Sequence, residues 1–223
     1  VPVVLEIAER ARALAAAEAW IVDFTNPVGI VTRALLDHGH RAVGLCNVAI
    51  GFQRRFAEWF GVEPGRVVVD QVGLNHLTWV RQVLLDGKDV LPSLLADHGD
   101  ELAEELELLQ RLLDELGAIP SYYLRYFYAH DAVLREQLEG EPRAAVVQEI
   151  ERSLLDLYRD PAVDERPDLL MQRGGAYYSE AALGLISSLV SDDRVVHEVD
   201  VRNAGTLAGL ADEDEESMAE LSS

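Results

Sequence analysis

Helix and strand alternate twice within the first 46 residues, and this alternation constrains the fold more than any other feature. Val3 to Ala17 is an amphipathic stretch with Pro2 near its start, where a missing N–H costs a helix little. Trp20 to Phe24 (WIVDF) is a short apolar run of the kind that forms a buried strand. T-N-P-V-G then interrupts the pattern. IVTRALLDHG reads as a second helix closed by Gly39, and Arg41 to Cys46 (RAVGLC) as a second strand. Strands joined through helices pair in parallel, so the opening predicts the tail of a parallel α/β sheet.

Beyond Cys46 the texture shifts. Gly51 to Phe60 predicts a helix carrying Phe52, Phe56, Trp59 and Phe60. RVVVDQVGLNHLTWVRQVLLDGKDV predicts two or three strands, with a turn at Asp86-Gly87. Leu102, Leu106, Leu109, Leu113 and Leu116 fall at helical spacing and predict one helix over 101–116, ended by Gly117. Further helix is expected at 131–139, 143–158 and 179–190, and a period-two strand in RVVHEVDVRN. The acidic stretch 211–223 is expected to be disordered.

Composition narrows the function. Forty acidic against nineteen basic residues give a net charge of −21, which speaks against a nucleic-acid or anionic-membrane surface. Cys46 is the single cysteine, so no intrachain disulfide can form, and a reducing cytoplasm suits it. No apolar run approaches the roughly 18 to 20 residues that span a bilayer, and the opening does not read as a signal peptide. The sequence contains no G-x-G-x-x-G turn, the usual cradle for a dinucleotide pyrophosphate, and it opens on a helix with no strand ahead of it. By this reading the chain is a small α/β protein of another kind or a fragment. A sheet that stops abruptly leaves unpaired edges and apolar surface, so self-association is expected.

Four patterns offer chemistry. Cys46 lies at the carboxyl end of a parallel strand, where open α/β sheets place their ligand crevice. With His76 it makes a thiolate–imidazole pair suited to a borderline divalent cation. A buried free thiol and a polar residue at a strand end are the plainer readings. SYYLRYFYAHD gathers Tyr122, Tyr123, Tyr126 and Tyr128 around Arg125. Such a group is either an aromatic core patch or the source of a phenol lowered enough by a cation to act as a base. QRGGAYYSEAA sets Arg173 before two glycines, either as an anion clamp or as a loop ahead of a helix capped by Ser179. Asn26, between a strand end and Pro27, either meets a sugar hydroxyl or ties its own turn.

Taken together and in order, FTNPVGIVTRALL, GLCNVAIGF, VGLNHLTWV, IPSYYLRYFY, RGGAYYSEAA and VRNAGTLAGL resemble successive signatures of glycoside hydrolase family 4. The resemblance runs from the opening helix to about Leu210. It implies the tail of a Rossmann-like NAD-binding domain at 1–46, and at 47–210 a metal and substrate domain. That second domain would be mixed and helix-rich, like the C-terminal part of lactate dehydrogenase. An acidic tail follows at 211–223.

The resemblance also implies a 6-phospho-β-glucosidase that works through NAD rather than through paired carboxylates. Hydride leaves C3 of the sugar, a divalent metal (most often Mn2+) polarises the resulting ketone, a base removes the C2 proton, and the aglycone departs. Carried over by position, Cys46 and His76 hold the metal and Tyr123 is the base, with Tyr126 and Tyr122 in reserve. Asn26 and Asn47 contact the sugar, and Arg173 holds the 6-phosphate. Asn47 replaces the aspartate typical of α-specific relatives and so favours the β-type. The cofactor-binding residues are unknown, since the glycine loop is missing. Ala49 stands where the family has proline, and the sequence departs from the family after Leu210. The expected ligand is a phosphorylated disaccharide or glucoside, and the expected assembly a homo-oligomer. Two competitors remain, an inactive family member serving as a folded or oligomerisation module and a hydroxyacid dehydrogenase. The latter class lacks the CN…GLNH pair.

Overall fold

The computed structural model describes residues 1–173, 177–205, 207–208 and 216–220, with residues 49 and 216–220 described by their backbone only. The chain forms two compact units, 1–124 with 177–223 and 125–176.

The first unit opens as α1 (Pro2–Leu14), β1 (Ile21–Asp23), α2 (Val28–Asp37), β2 (Ala42–Gly44) and α3 (Asn47–Phe60). The strands β1 and β2 are parallel, Val22 facing Val43, as a helical crossover requires. Ala8, Val31, Leu35 and Ala42 pack α1 and α2 onto one face of this pair. Gly44 lies where strand and helix meet. A Cβ there would stand 2.3 Å from Thr32 Oγ1 and 3.0 Å from Asp200 Cβ, so only glycine allows this approach.

The mixed half follows as β3 (Val67–Leu74), β4 (Leu77–Leu85), β5 (Lys88–Asp89), α4 (Leu91–Leu106), α5 (Gln110–Leu116) and β6 (Ile119–Pro120). The strands β3 and β4 form an antiparallel hairpin, with β5 and β6 both paired to β4. Alternate residues Val67 and Val69 of β3 face the largest core, where Phe56, Leu94, Leu102, Leu113 and Ile119 are fully buried. Each such side chain contributes roughly 1.5–3 kcal/mol of transfer free energy.

The single helix expected over 101–116 is instead two. It begins at Leu91 and stops at Glu107, which takes a left-handed φ of 53° before α5 starts. Leu102, Leu106 and Leu113 of the stripe are buried, whereas Leu109, in the break, is 77 % exposed. Equal spacing across the break hid the change of direction.

The second unit comprises α6 (Arg125–Tyr128), α7 (His130–Glu139), α8 (Arg143–Leu157) and α9 (Leu169–Arg173). The chain re-enters the first unit as α10 (Tyr178–Ser191) and β7 (Glu198–Arg202). Tyr177, with φ 68°, precedes α10, so Ser179 lies inside that helix rather than capping it. β7 pairs antiparallel with β2, and Ala182, Leu185, Val199, Val43 and Leu45 form their shared core. Part of the acidic stretch expected to be disordered, Glu216–Glu220, is strand β8, antiparallel to β7. The remainder, 211–215 and 221–223, lies outside the described residues. The fold is mixed α/β, with the parallel pair extended by antiparallel strands in the order β1-β2-β7-β8.

Candidate functional site

The carboxyl ends of β1 and β2 carry the first two candidates. Asn26 follows β1, joined to Pro27 by a cis peptide bond, and its side chain hydrogen-bonds the hydroxyl of Tyr178 on α10. Tyr178 also stacks on Phe24, ring centroids 5.7 Å apart. Cys46 precedes the first residue of α3 and is buried. Burial pushes its thiol above the ordinary range. The backbone N–H groups of Val48 and Asn47 and the Asn75 amide donate to the sulfur and pull the other way, while the charge on Asp200 adds to the rise. Asn47 opens α3.

His76 sits in the tight turn between β3 and β4, with φ 65°. The turn is held from both sides. Ser121 donates its hydroxyl to the His76 carbonyl, and its N–H donates to Thr78 O at 2.9 Å. Gly73, with φ 145°, has no room for a side chain, since a Cβ would fall 2.0 Å from Leu77 O. The imidazole lies on the ring of Tyr123 at a centroid distance of 3.8 Å, the planes 11° apart. Burial lowers its pKa, which favours the neutral, ligand-competent ring.

Two residues that the sequence pattern did not single out join these elements. Asn75 donates to Asp200 Oδ2 on β7 at 3.1 Å and also to the Cys46 sulfur. Burial pushes the Asp200 carboxyl up to about 7, opposed by the Asn75 hydrogen bond and reinforced by the charge of Asp23. Asp23 accepts from Thr25 N at 3.1 Å and from Thr32 Oγ1 at 3.3 Å. Asp200 stands between two valines in the strand predicted as alternating, yet Val199 and Asp200 are both buried.

Asn47 and Tyr123 line a cleft of about 640 Å³, together with Arg54, Arg55, Tyr122 and Tyr177. Cys46 lines a second, of about 490 Å³, with Gln53, Glu180 and His197. Arg173 lies at the end of α9, in the second unit, where it pairs with Glu151 at 3.3 Å and remains half exposed. Gly174 and Gly175 lie outside the described residues. Tyr126 also belongs to the second unit, beneath the Arg125 guanidinium at 5.2 Å.

The family 4 glycosyl hydrolase model matches residues 1–62, and that of the family's C-terminal domain matches residues 71–215. The chain belongs to glycosyl hydrolase family 4.

This family 4 chain is 38 % identical to a probable 6-phospho-β-glucosidase of Bacillus subtilis, over 96 % of its own length and 51 % of the relative's. It is 32 % identical to the 6-phospho-β-glucosidase of Escherichia coli, over 94 % and 50 %. Among solved structures, the Thermotoga maritima 6-phospho-β-glucosidase with manganese, NAD+ and glucose 6-phosphate superposes with a TM-score of 0.84. The two share 32 % identity over 99 % of this chain and 53 % of that one. The chain therefore spans about half the length of the curated relatives it matches.

Among the described residues, no group of three or more His, Cys, Asp or Glu side chains converges as a metal cage. A two-donor site is nevertheless chemically sound. Cys46 as a thiolate and His76 as a neutral imidazole, linked through Asn75, would suit a borderline divalent cation, whose charge would offset the burial that keeps the thiol protonated. The pyrophosphate of a dinucleotide, by contrast, has no glycine-rich cradle in these 223 residues.

Proposed function

We propose that this chain supplies the metal- and sugar-binding half of a 6-phospho-β-glucosidase. The observation that carries the reading is the arrangement of Cys46, Asn75, His76 and Tyr123. The Asn75 amide bonds the Cys46 sulfur, and its neighbour His76 stacks on the phenol of Tyr123.

In this reading Cys46 and His76 hold a divalent cation, Mn2+ by analogy with the T. maritima structure. When bound, the cation supplies Lewis-acid polarisation of a sugar carbonyl oxygen, which acidifies the neighbouring C–H. Tyr123 takes the C2 proton onto its phenolate oxygen, its ring held in place by the stack on His76. Asn47, which lines the 640 Å³ cleft, donates to the sugar, and its amide in place of a carboxylic acid agrees with β-type leaving groups. Asn26, oriented by Tyr178, contacts a second hydroxyl. Arg173, in the second unit, is by the family resemblance the residue for the 6-phosphate. Its partner Glu151 is exposed, so exchanging that carboxylate for a phosphate costs little. A reducing cytoplasm and a homo-oligomeric assembly complete the reading, supported by one buried thiol and by exposed apolar side chains on α1 and α10.

The test is an assay of the purified chain with NAD, Mn2+, a thiol reductant and a chromogenic 6-phospho-β-glucoside, beside a Cys46→Ser control. Release of chromophore that disappears in the control supports the reading. No release with a folded chain assigns these 223 residues to the alternative, a module without activity of its own.

A further inference from the structure

Asp200 takes no part in the chemistry above, yet it is fully buried beside it. It lies on β7 directly opposite Gly44, two residues before Cys46. Its Oδ2 accepts from Asn75 at 3.1 Å, while Oδ1 has no hydrogen-bond partner among the described residues. A carboxyl group in such a place costs free energy that an isosteric valine would not. What it gains is a hold on Asn75. That amide is otherwise the tip of a tight turn, and it bonds the Cys46 sulfur while preceding His76 in the chain.

We infer that Asp200 is a positioning residue for the cation site. It anchors the Asn75 amide to β7, and the anchored amide fixes both the Cys46 sulfur and the turn that presents His76. The inference rests on the reading of Cys46 and His76 as cation donors. Groups that orient metal ligands commonly change cation affinity by about 10–100-fold when removed.

Mn2+ titration of the whole chain, followed by electron paramagnetic resonance, tests this. Asp200→Val should weaken binding about tenfold or more, and Asn75→Ala by a similar factor. The double variant should be no weaker than Asn75→Ala alone, because Asp200 acts through that amide. Asp200→Asn keeps an acceptor for Asn75 and should bind within about threefold of the wild type, a rescue that loss of packing alone would not give. Asp200→Ser is polar but too short to reach Asn75, and gives the same reading if Asp200→Val does not fold. Unchanged affinity in a folded Asp200→Val or Asp200→Ser chain, with the wild type binding Mn2+, overturns this inference alone. No Mn2+ binding by the wild type overturns the cation site and the inference together.

Discussion

The imidazole of His76 lies flat against the phenol of Tyr123, centroids 3.8 Å apart, so the cation donor and the C2 base of the proposed mechanism share one surface. Tyr123→Phe keeps the ring and removes only the hydroxyl. Mn2+ affinity should then stay within about threefold, while exchange of the sugar C2 proton with solvent deuterium falls about 100-fold or more in the full-length enzyme. Mass spectrometry of recovered sugar reads the exchange. An unchanged rate removes Tyr123 from the role of base.

Asp200 makes stability depend on pH. Its folded-state carboxyl titrates at about 7, against an ordinary value of 3.8. The folded state therefore holds this proton more tightly than the unfolded one. The associated stability is complete below the ordinary value and is lost as pH rises through about 7. Asp200→Asn removes the dependence. Its advantage over the wild type should grow between about pH 4 and pH 7 and reach the order of 4 kcal/mol at most. Urea unfolding of both proteins across that range checks it. Parallel pH curves would contradict the burial of this carboxyl.

Gly73→Ala should destabilise the first unit by about 2 kcal/mol or more, because the added methyl meets backbone on the facing strand. The same change displaces the turn holding Asn75 and His76, so any folded fraction should bind Mn2+ poorly. Calorimetry and metal titration on one sample distinguish the two losses. A variant with wild-type melting and affinity would contradict the described β3–β4 turn.

Leu183, Ile186 and Val190 form an exposed apolar stripe on α10, and Val3, Ile7 and Leu14 remain exposed on α1. A net charge of −21 opposes association through these faces. Self-association measured by sedimentation should strengthen with added salt, as the Debye length shortens from about 10 Å toward 3 Å. Ile186→Lys should weaken it. A monomer unaffected by salt would count against both faces.

Much of the fold was legible because period and punctuation agree. The two opening strands, the Asp86-Gly87 turn and the Gly39 and Gly117 helix ends are local decisions, fixed by neighbouring residues. The break at Glu107 was not legible, since a leucine stripe keeps its spacing whether or not the axis turns. Cys46 and His76 stood out as rare residues with distinctive chemistry. Asn75 and Asp200 did not, because their role depends on β7 returning beside β2, a pairing between distant segments. Asp200 was also masked by the valines around it, which made an ordinary alternating strand of a buried acid.

The cation site at Cys46 and His76 is tested most directly by Mn2+ titration of the chain with and without glucose 6-phosphate, beside Cys46→Ser and His76→Ala. One Mn2+ should bind per chain, tightened by the sugar phosphate and weakened at least about tenfold in each variant. Binding equal in all three proteins, or none in the wild type, would contradict it.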